Sequence, residues 1–540
     1  MNKNIKKINF SEELLKNTKK RDAFDKVCEF IDNKQCLHGR ILALYGLRRT
    51  GKTFMLAQIK DKYRGEAEHL EFPLIAEDGM PQSFSMSDVY NAIDECIAAG
   101  KTIILLDEIT NIDDFTYDSE ILADDYAVKG ISIIIAGTDS LGLKLAGNNP
   151  LFGRKPDIPM TYISFAEYCR VFGINDIENY IKTGGLMHEG ICDDSVIDII
   201  SKQRYLDSAV SGNIVRSLMR YKKYSSDSTN YDEICEYTEN DIKQIVNKFV
   251  AIYGGSFEPS KKNSKKEYNI IDFPLKRYRN SFEVSAGLQI DSNRKKICSD
   301  YAKLINSECI LSKPASEELM RELENLLYIL GVFSSLDVHR YEKINGVWQN
   351  AKTEKEGHII QPAIKYYQLK EAQKIYLESA DLDKLSFSER EFLSQKLKEK
   401  IFEDMVEAIV QFDVSCALDS NNYCICKPEL YIDGKSIGEY DMLIYDKSKN
   451  SYYGFEVKHT NNPYSGQYKN LNNSEITKLL DYQYGDRKNV SVLYRGNPFQ
   501  TIDGVFYLNI ADFLRTVDKY RDIDVAMNKL TENLPVRDLE

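Results

Sequence analysis

Nowhere does this 540-residue chain hold an apolar run near the ~20 residues that span a bilayer, which argues against a membrane-crossing helix. The opening MNKNIKKINFSEELLKN is polar and lacks a hydrophobic stretch ending in small residues, so it does not read as a secretory signal. The expectation is a cytoplasmic protein with no membrane partner. Paired CxxC clusters are also missing. The eleven cysteines are an odd number and lie singly apart from Cys424 and Cys426, which argues for buried free thiols over a structural zinc site. Positive charge is not in excess either. A net charge of −12 speaks against a surface coated in nucleic acid, while leaving room for a local basic groove.

What is present is an ordinary globular balance, 43% hydrophobic and 29% charged, in a length that suits roughly three or four domains. One basic stretch, Lys261 to Arg279, carries seven Lys/Arg against Glu267 and Asp272. It reads first as a solvated loop. Tyr268, Phe273 and Tyr278 among the charges keep a nucleic-acid role open.

The chemistry is clearest near the N-terminus. ILALYG (Ile41 to Gly46) is a short apolar run stopping at glycine, and FMLAQIKDKY has helical apolar spacing. Between them lies Gly46-Leu47-Arg48-Arg49-Thr50-Gly51-Lys52-Thr53, in the strand–loop–helix setting that a phosphate-binding loop requires. Glycines let successive amides turn inward toward phosphates, and the helix start adds its positive dipole end. Lys52 would neutralise the β- and γ-phosphates of ATP, and Thr53 would place its hydroxyl on Mg²⁺. A second buried run, TIILLDEIT, ends in Asp107 and Glu108. Asp107 is expected on the Mg²⁺ hydration shell and Glu108 as the base for water, both on the strand neighbouring the loop strand. ISIIIAG ends in Thr138-Asp139-Ser140, and Thr138 is the first choice for a γ-phosphate sensor. Ser140 serves equally as a helix cap before LGLKLA.

ALYGLRRTGKT, LLDEIT, GTDSLG, Gly153-Arg154 and YISFAEY together resemble the bacterial and archaeal AAA+-like ATPases that carry a C-terminal restriction-endonuclease-like domain. YIKTGGLM is similar to their helical-lid signature. The resemblance implies Arg154 as a γ-phosphate or subunit-interface arginine, in a chain that can form homo-oligomers; an ordinary loop arginine would look the same.

Beyond the lid, Leu319 to Leu330 has helical spacing, and strand-like pieces follow around Phe333–Tyr341 and His358–Ile360, with Trp348 in the insert between them. Helix plus β-ribbon is consistent with a winged-helix module, read as packing ahead of DNA binding. QPAIKYYQLKEAQKIYL is similar to a family segment leading into the last domain. There, KIFEDMVEAIVQF is an amphipathic helix with Glu403 and Glu407 one turn apart, SIGEYDMLIYD carries Asp441 near mid-strand, and SYYGFEVKHT holds Glu456-Val457-Lys458. Glu456 and Lys458 leave the same face of their strand.

Asp441, fourteen intervening residues and Glu-x-Lys resemble the PD-(D/E)XK nuclease core. In that chemistry two carboxylates hold Mg²⁺ and the lysine orients the nucleophile. The resemblance adds Glu403 as a third, helix-borne acid. His459 is read as a single exposed histidine with no assigned task.

The expected fold is α/β. A P-loop NTPase core with a parallel sheet fills residues 1–160, and a helical lid and insert fill 161–300. A winged-helix-like module occupies 301–383 and a restriction-endonuclease-like α/β domain 384–540. The leading function is an ATPase coupled to a Mg²⁺-dependent DNA nuclease-like domain, with genome defence as a setting by family analogy. The alternative is an ATP-driven switch whose last domain binds DNA or protein without cutting. A chaperone-like ATPase acting on proteins has no positive feature.

Overall fold

The computed structural model describes residues 5–47, 49–73, 80, 82–112, 115–138, 154–160, 162–184, 238, 241, 244–245, 316–349, 352–363, 366 and 386–539. Arg48, Asp139, Ser140, Gly153, the end of the lid signature, the basic stretch and most of 361–377 lie outside the described residues. Among the described residues no helix is long and apolar enough to cross a membrane.

The N-terminal sheet comprises β1 (Lys6–Lys7), β2 (Leu42–Tyr45), β3 (Ala67–Glu71), β4 (Ile103–Asp107), β5 (Ser132–Gly137) and β6 (Asp157–Pro159), in the spatial order β1-β3-β4-β5-β2-β6. All neighbours are parallel except β1 with β3. β2, β4 and β5 are apolar almost throughout because both faces of the sheet are covered. Ala43, Leu70, Ile104, Leu106 and Ile135 pack with Met86, Val89 and Ile93 of the Met86–Ala98 helix. Leu42, Leu44, Leu105, Ile134 and Ala136 pack on the other face with Phe24 and Val27 of Ala23–Asp32 and Met55, Leu56 and Ile59 of Lys52–Lys62. The strand with the acid pair is not the neighbour of the phosphate-loop strand, as the sequence led us to expect. β5 lies between them, and this puts Thr138 between the loop and Glu108.

The second sheet joins β7 (Phe333–Ile344), β8 (Val347–Trp348), β9 (Lys352–Ile359), β10 (Tyr423–Ile432), β11 (Lys435–Glu439), β12 (Met442–Asp446), β13 (Ser451–Val457), β14 (Asp486–Tyr494), β15 (Phe499–Thr501), β16 (Phe506–Asn509) and β17 (Val536–Arg537). β7 pairs with β9 as a ribbon and lies parallel to β10, so the boundary expected at 383/384 runs through one sheet. β10, β12 and β13 are antiparallel in turn, and β14 returns parallel to β13 after the Ser474–Tyr484 helix.

One face of this sheet is covered by the long Phe387–Ala417 helix, by Ile510–Tyr520 and by Ile523–Thr531. The same core takes in Phe165, Tyr168, Ile177, Tyr180 and Ile181, from the two helices that directly follow the first sheet (Phe165–Phe172 and Ile177–Thr183). The segment leaving the N-terminal domain is thereby built into the C-terminal core.

Candidate functional site

The phosphate loop follows β2. Gly46 (φ 150°), Arg49 (φ 64°) and Gly51 (φ 85°) take positive φ, and Gly51 caps the helix that begins at Lys52. At Gly51 a side chain would be strained, so glycine there is a backbone requirement. Lys52 is buried, and its Nζ donates to the carbonyls of Gly46 (3.0 Å) and Leu47 (2.8 Å). Its ammonium is therefore held inside the loop. Thr53, half-buried, follows on the first turn of the same helix.

β2 and β5 are level at Tyr45↔Gly137, and β5 and β4 at Ile135↔Leu106, so the loop, Thr138 and the acid pair share one carboxyl edge. Two strand spacings, roughly 10 Å, separate the backbone of the loop strand from that of the acid strand. Glu108 sits at φ 52°, an uncommon conformation for a residue with a side chain and one that clusters at functional sites. Thr138 Oγ1 donates to Glu108 Oε2 at 3.2 Å. Gly137 allows the close approach behind them, because a Cβ there would lie 2.7 Å from the Thr110 side chain.

Asp107 is buried, its Oδ1 accepting from the Glu108 amide (3.0 Å) and its Oδ2 lying 3.4 Å from His69 Nε2 on β3. Glu71, opposite Asp107 in register, has its pKa raised by burial and then by the Asp107 charge. Neither His69 nor Glu71 was singled out in the sequence, since only strand pairing brings them there. These groups fit a nucleotide with its divalent cation: a glycine-bearing loop with a buried ammonium on one side, a buried carboxylate on the other.

Arg154 does not join them. It precedes β6, and its carbonyl accepts from Ile41 at the amino end of β2, the sheet edge opposite the phosphate loop. Its guanidinium pairs with Asp124. A γ-phosphate role within its own chain is thereby corrected, since parallel strands place the start of β6 away from the edge where β2 ends.

The second centre lies on the C-terminal sheet. Asp441 stands at the break between β11 and β12, not mid-strand as the pattern implied, and the Met442↔Phe455 register sets it opposite Glu456. Its Oδ2 accepts from the Val457 amide (2.7 Å) and from Lys458 Nζ (3.0 Å), and Lys458 also donates to Glu456 Oε2 at 2.7 Å. Asn470 approaches the other Glu456 oxygen at 3.4 Å. Asp441, Glu456 and Lys458 thus converge. Burial, then the Asp441 charge, pushes Glu456 up to about 8. The lysine is raised by the two carboxylates in spite of its burial.

The helix acid that faces this cluster is Glu407. Burial and the charge of Asp441 push it up to about 7, and it accepts from Lys427 (3.2 Å) and Gln411 (3.4 Å). Glu403, the third acid implied by family likeness, is exposed one turn earlier. The two acids share one face of the helix, and Glu407 is the one level with Lys427 and Asp441. The His459 side chain is buried, its Nε2 3.2 Å from Glu178 Oε1 and its ring stacked on Phe402, so the exposed histidine expected from sequence is corrected too.

A chain of buried contacts runs between the two centres. Arg21 donates to the Thr50 carbonyl of the phosphate loop and to the Tyr162 carbonyl (3.0 Å). Tyr162 donates its hydroxyl to Asp413 Oδ1 (2.6 Å), whose Oδ2 accepts from the Phe165 amide (2.7 Å). Two residues before Asp413 on the same long helix, Gln411 donates to the Asp441 carbonyl.

Residues 38–169 match the family model of an AAA domain. No curated protein matches the sequence. Among solved structures the chain is similar to S. cerevisiae Hsp104 in its extended casein complex, at 17% identity and a TM-score of 0.24, over 58% of this chain and only 56% of that one. The Thermotoga maritima RuvB Holliday junction branch migration motor is similar at 12% identity and 0.20, over 58% and 95%. The replication initiator DnaA bound to AMPPCP and single-stranded DNA follows at 12% and 0.21, over 55% and 98%. Scores this low leave the fold to rest on sheet order and loop geometry. On those grounds and the family match, the chain carries an AAA-type P-loop ATPase domain.

Proposed function

We propose that this chain binds and hydrolyses ATP at the first centre and that nucleotide state there governs a Mg²⁺-dependent DNA nuclease at the second. In ATP hydrolysis Glu108 takes the proton of a water whose oxygen attacks the γ-phosphorus as the bond to the β-phosphate bridge breaks. Lys52 holds the phosphates, Thr138 orients Glu108, and Thr53 and Asp107 are the groups for the cation. At the second centre Asp441, Glu456 and Glu407 are the carboxylates for a divalent cation, and Lys458 orients the water that attacks a phosphodiester. A cation held there neutralises the charge growing on the phosphate and eases deprotonation of the water.

The observation that carries this reading is the convergence of Asp441, Glu456 and Lys458 at the end of a buried path from the phosphate loop. DNA is the expected partner of the C-terminal sheet and its β7–β9 ribbon. Arg154, remote from its own phosphate loop and one-third exposed, keeps only the subunit-interface role, in a homo-oligomer.

Plasmid DNA incubated with Mg²⁺ or Mn²⁺, with and without ATP, tests the assignment. Wild-type protein should nick or linearise the plasmid and Asp441→Ala should not. Equal cleavage by both overturns the assignment of the site to Asp441, and cleavage by neither favours an ATP-driven switch whose last domain binds DNA or protein without cutting.

A further inference from the structure

On β10, where Lys427 reaches the second centre from the alternate face, the pairing with β7 assembles a donor set that no sequence spacing announces. Cys424 and Cys426 are two apart on β10, so their side chains leave the same face. The parallel register sets Cys426 beside Asp337 and Pro428 beside His339, which carries the imidazole to the same patch. One ligand atom from each of His339, Cys424 and Cys426 lies within 4.8 Å of the other two. Cys426 is buried, while Cys424 and His339 are half-buried, so the patch is shielded but reachable.

We propose that His339, Cys424 and Cys426 bind a zinc-like soft divalent cation that pins the β7 ribbon to β10. Two thiolates and a neutral imidazole are the donors such an ion prefers, and Zn–S and Zn–N distances of about 2.3 and 2.0 Å ask only for a modest closing of the three side chains. Tyr484, from the helix above, fixes the imidazole: its hydroxyl is 2.5 Å from His339 Nδ1 and 3.6 Å from Cys426 Sγ, and it accepts from Tyr341 at 2.7 Å. Such outer partners orient ligands at metal sites.

The test uses the untagged full chain in excess Mg²⁺, so that carboxylate sites are occupied. After dialysis against a weak chelator, elemental analysis should find about one zinc per chain, and cobalt substitution should give the thiolate-to-metal absorption band of a tetrahedral sulfur site. Cys424→Ser and His339→Gln should each weaken zinc by more than the roughly 10–100-fold seen when only an outer partner is lost, whereas Cys416→Ser should not. Zinc retained equally by the variants would overturn the proposal, as would a cobalt spectrum without the thiolate band. A free-thiol titration two short of the eleven cysteines would assign Cys424 and Cys426 to a disulfide instead. If a variant fails to fold, the cobalt spectrum of the intact chain still decides.

Discussion

Arg21 and Glu167 form a two-pronged ion pair, Nε to Oε1 at 2.6 Å and Nη2 to Oε2 at 3.1 Å, with both side chains buried. The remaining guanidinium donors reach Thr50 in the phosphate loop and Tyr162 beyond the first sheet. A planar fork is needed to serve all of these acceptors, which lysine cannot replace. Arg21→Ala leaves Glu167 a buried charge without its cation, and we expect a loss of about 3–5 kcal/mol in a urea titration. Arg21→Met with Glu167→Leu should recover much of that loss. A single variant within about 1 kcal/mol of wild type would mean that the pair is not buried as described.

At the phosphate loop, Lys52→Ala should abolish ATP retention in a filter-binding assay. Glu108→Gln should retain ATP and slow hydrolysis by about 10²–10⁴-fold, the usual worth of a positioned base. Arg154→Ala, altering a side chain at the far edge of the sheet, should leave the ATP affinity of the dilute protein unchanged. An affinity reduced as far as that of Lys52→Ala would restore Arg154 to the nucleotide site.

Between the two helix acids the structure discriminates sharply. Glu407→Gln removes a carboxyl that feels the Asp441 charge and should lower metal-dependent cleavage by at least about tenfold, the scale of a missing supporting group at a metal site. Glu403→Gln, exposed and one turn away, should cleave as wild type does. The reverse ranking would overturn the choice of Glu407.

How much of this was legible in the sequence follows from the range of each signal. The phosphate loop, Asp107–Glu108 and the Glu456–Lys458 pair are written within a few residues, and local spacing fixed them. Asp441 was found by its interruption of an apolar run, although the run proved to be two strands joined at that residue. Glu403 and Glu407 are equivalent by spacing, and only the approach of Lys427 and Asp441 to Glu407 in the folded chain chooses between them. The positions of Arg154, His69 and His339 depend on pairing between strands distant in sequence, which periodicity does not encode. The same holds for the β7 ribbon, which reads as a separate module until its register with β10 is known.

Asp413 lies where the two halves of the molecule meet, and its ionisation should make that junction sensitive to pH. Burial pushes its carboxyl up to about 7, although the Tyr162 hydroxyl and Phe165 amide that donate to it pull the other way; Asp518 and Glu167 add repulsion. Its folded-state pKa is thus above that of the unfolded chain. The folded protein binds the extra proton between about pH 4 and pH 7, so this group's contribution is complete below pH 4 and is lost as pH rises to about 7. Other groups superimpose their own trends, so the measurement is a comparison. Asp413→Asn keeps an oxygen for the Phe165 amide, turns its NH2 toward the Tyr162 oxygen, and cannot ionise. The wild-type minus variant difference in unfolding free energy should fall with rising pH, at a slope of up to about 1.4 kcal/mol per pH unit. A difference that is flat from pH 4 to 8, or that rises, would mean the carboxylate is charged in the folded protein throughout. In that case Tyr162 and Phe165 would be holding an anion, and the contact between the long helix and the segment leaving the ATPase domain would be electrostatic in origin.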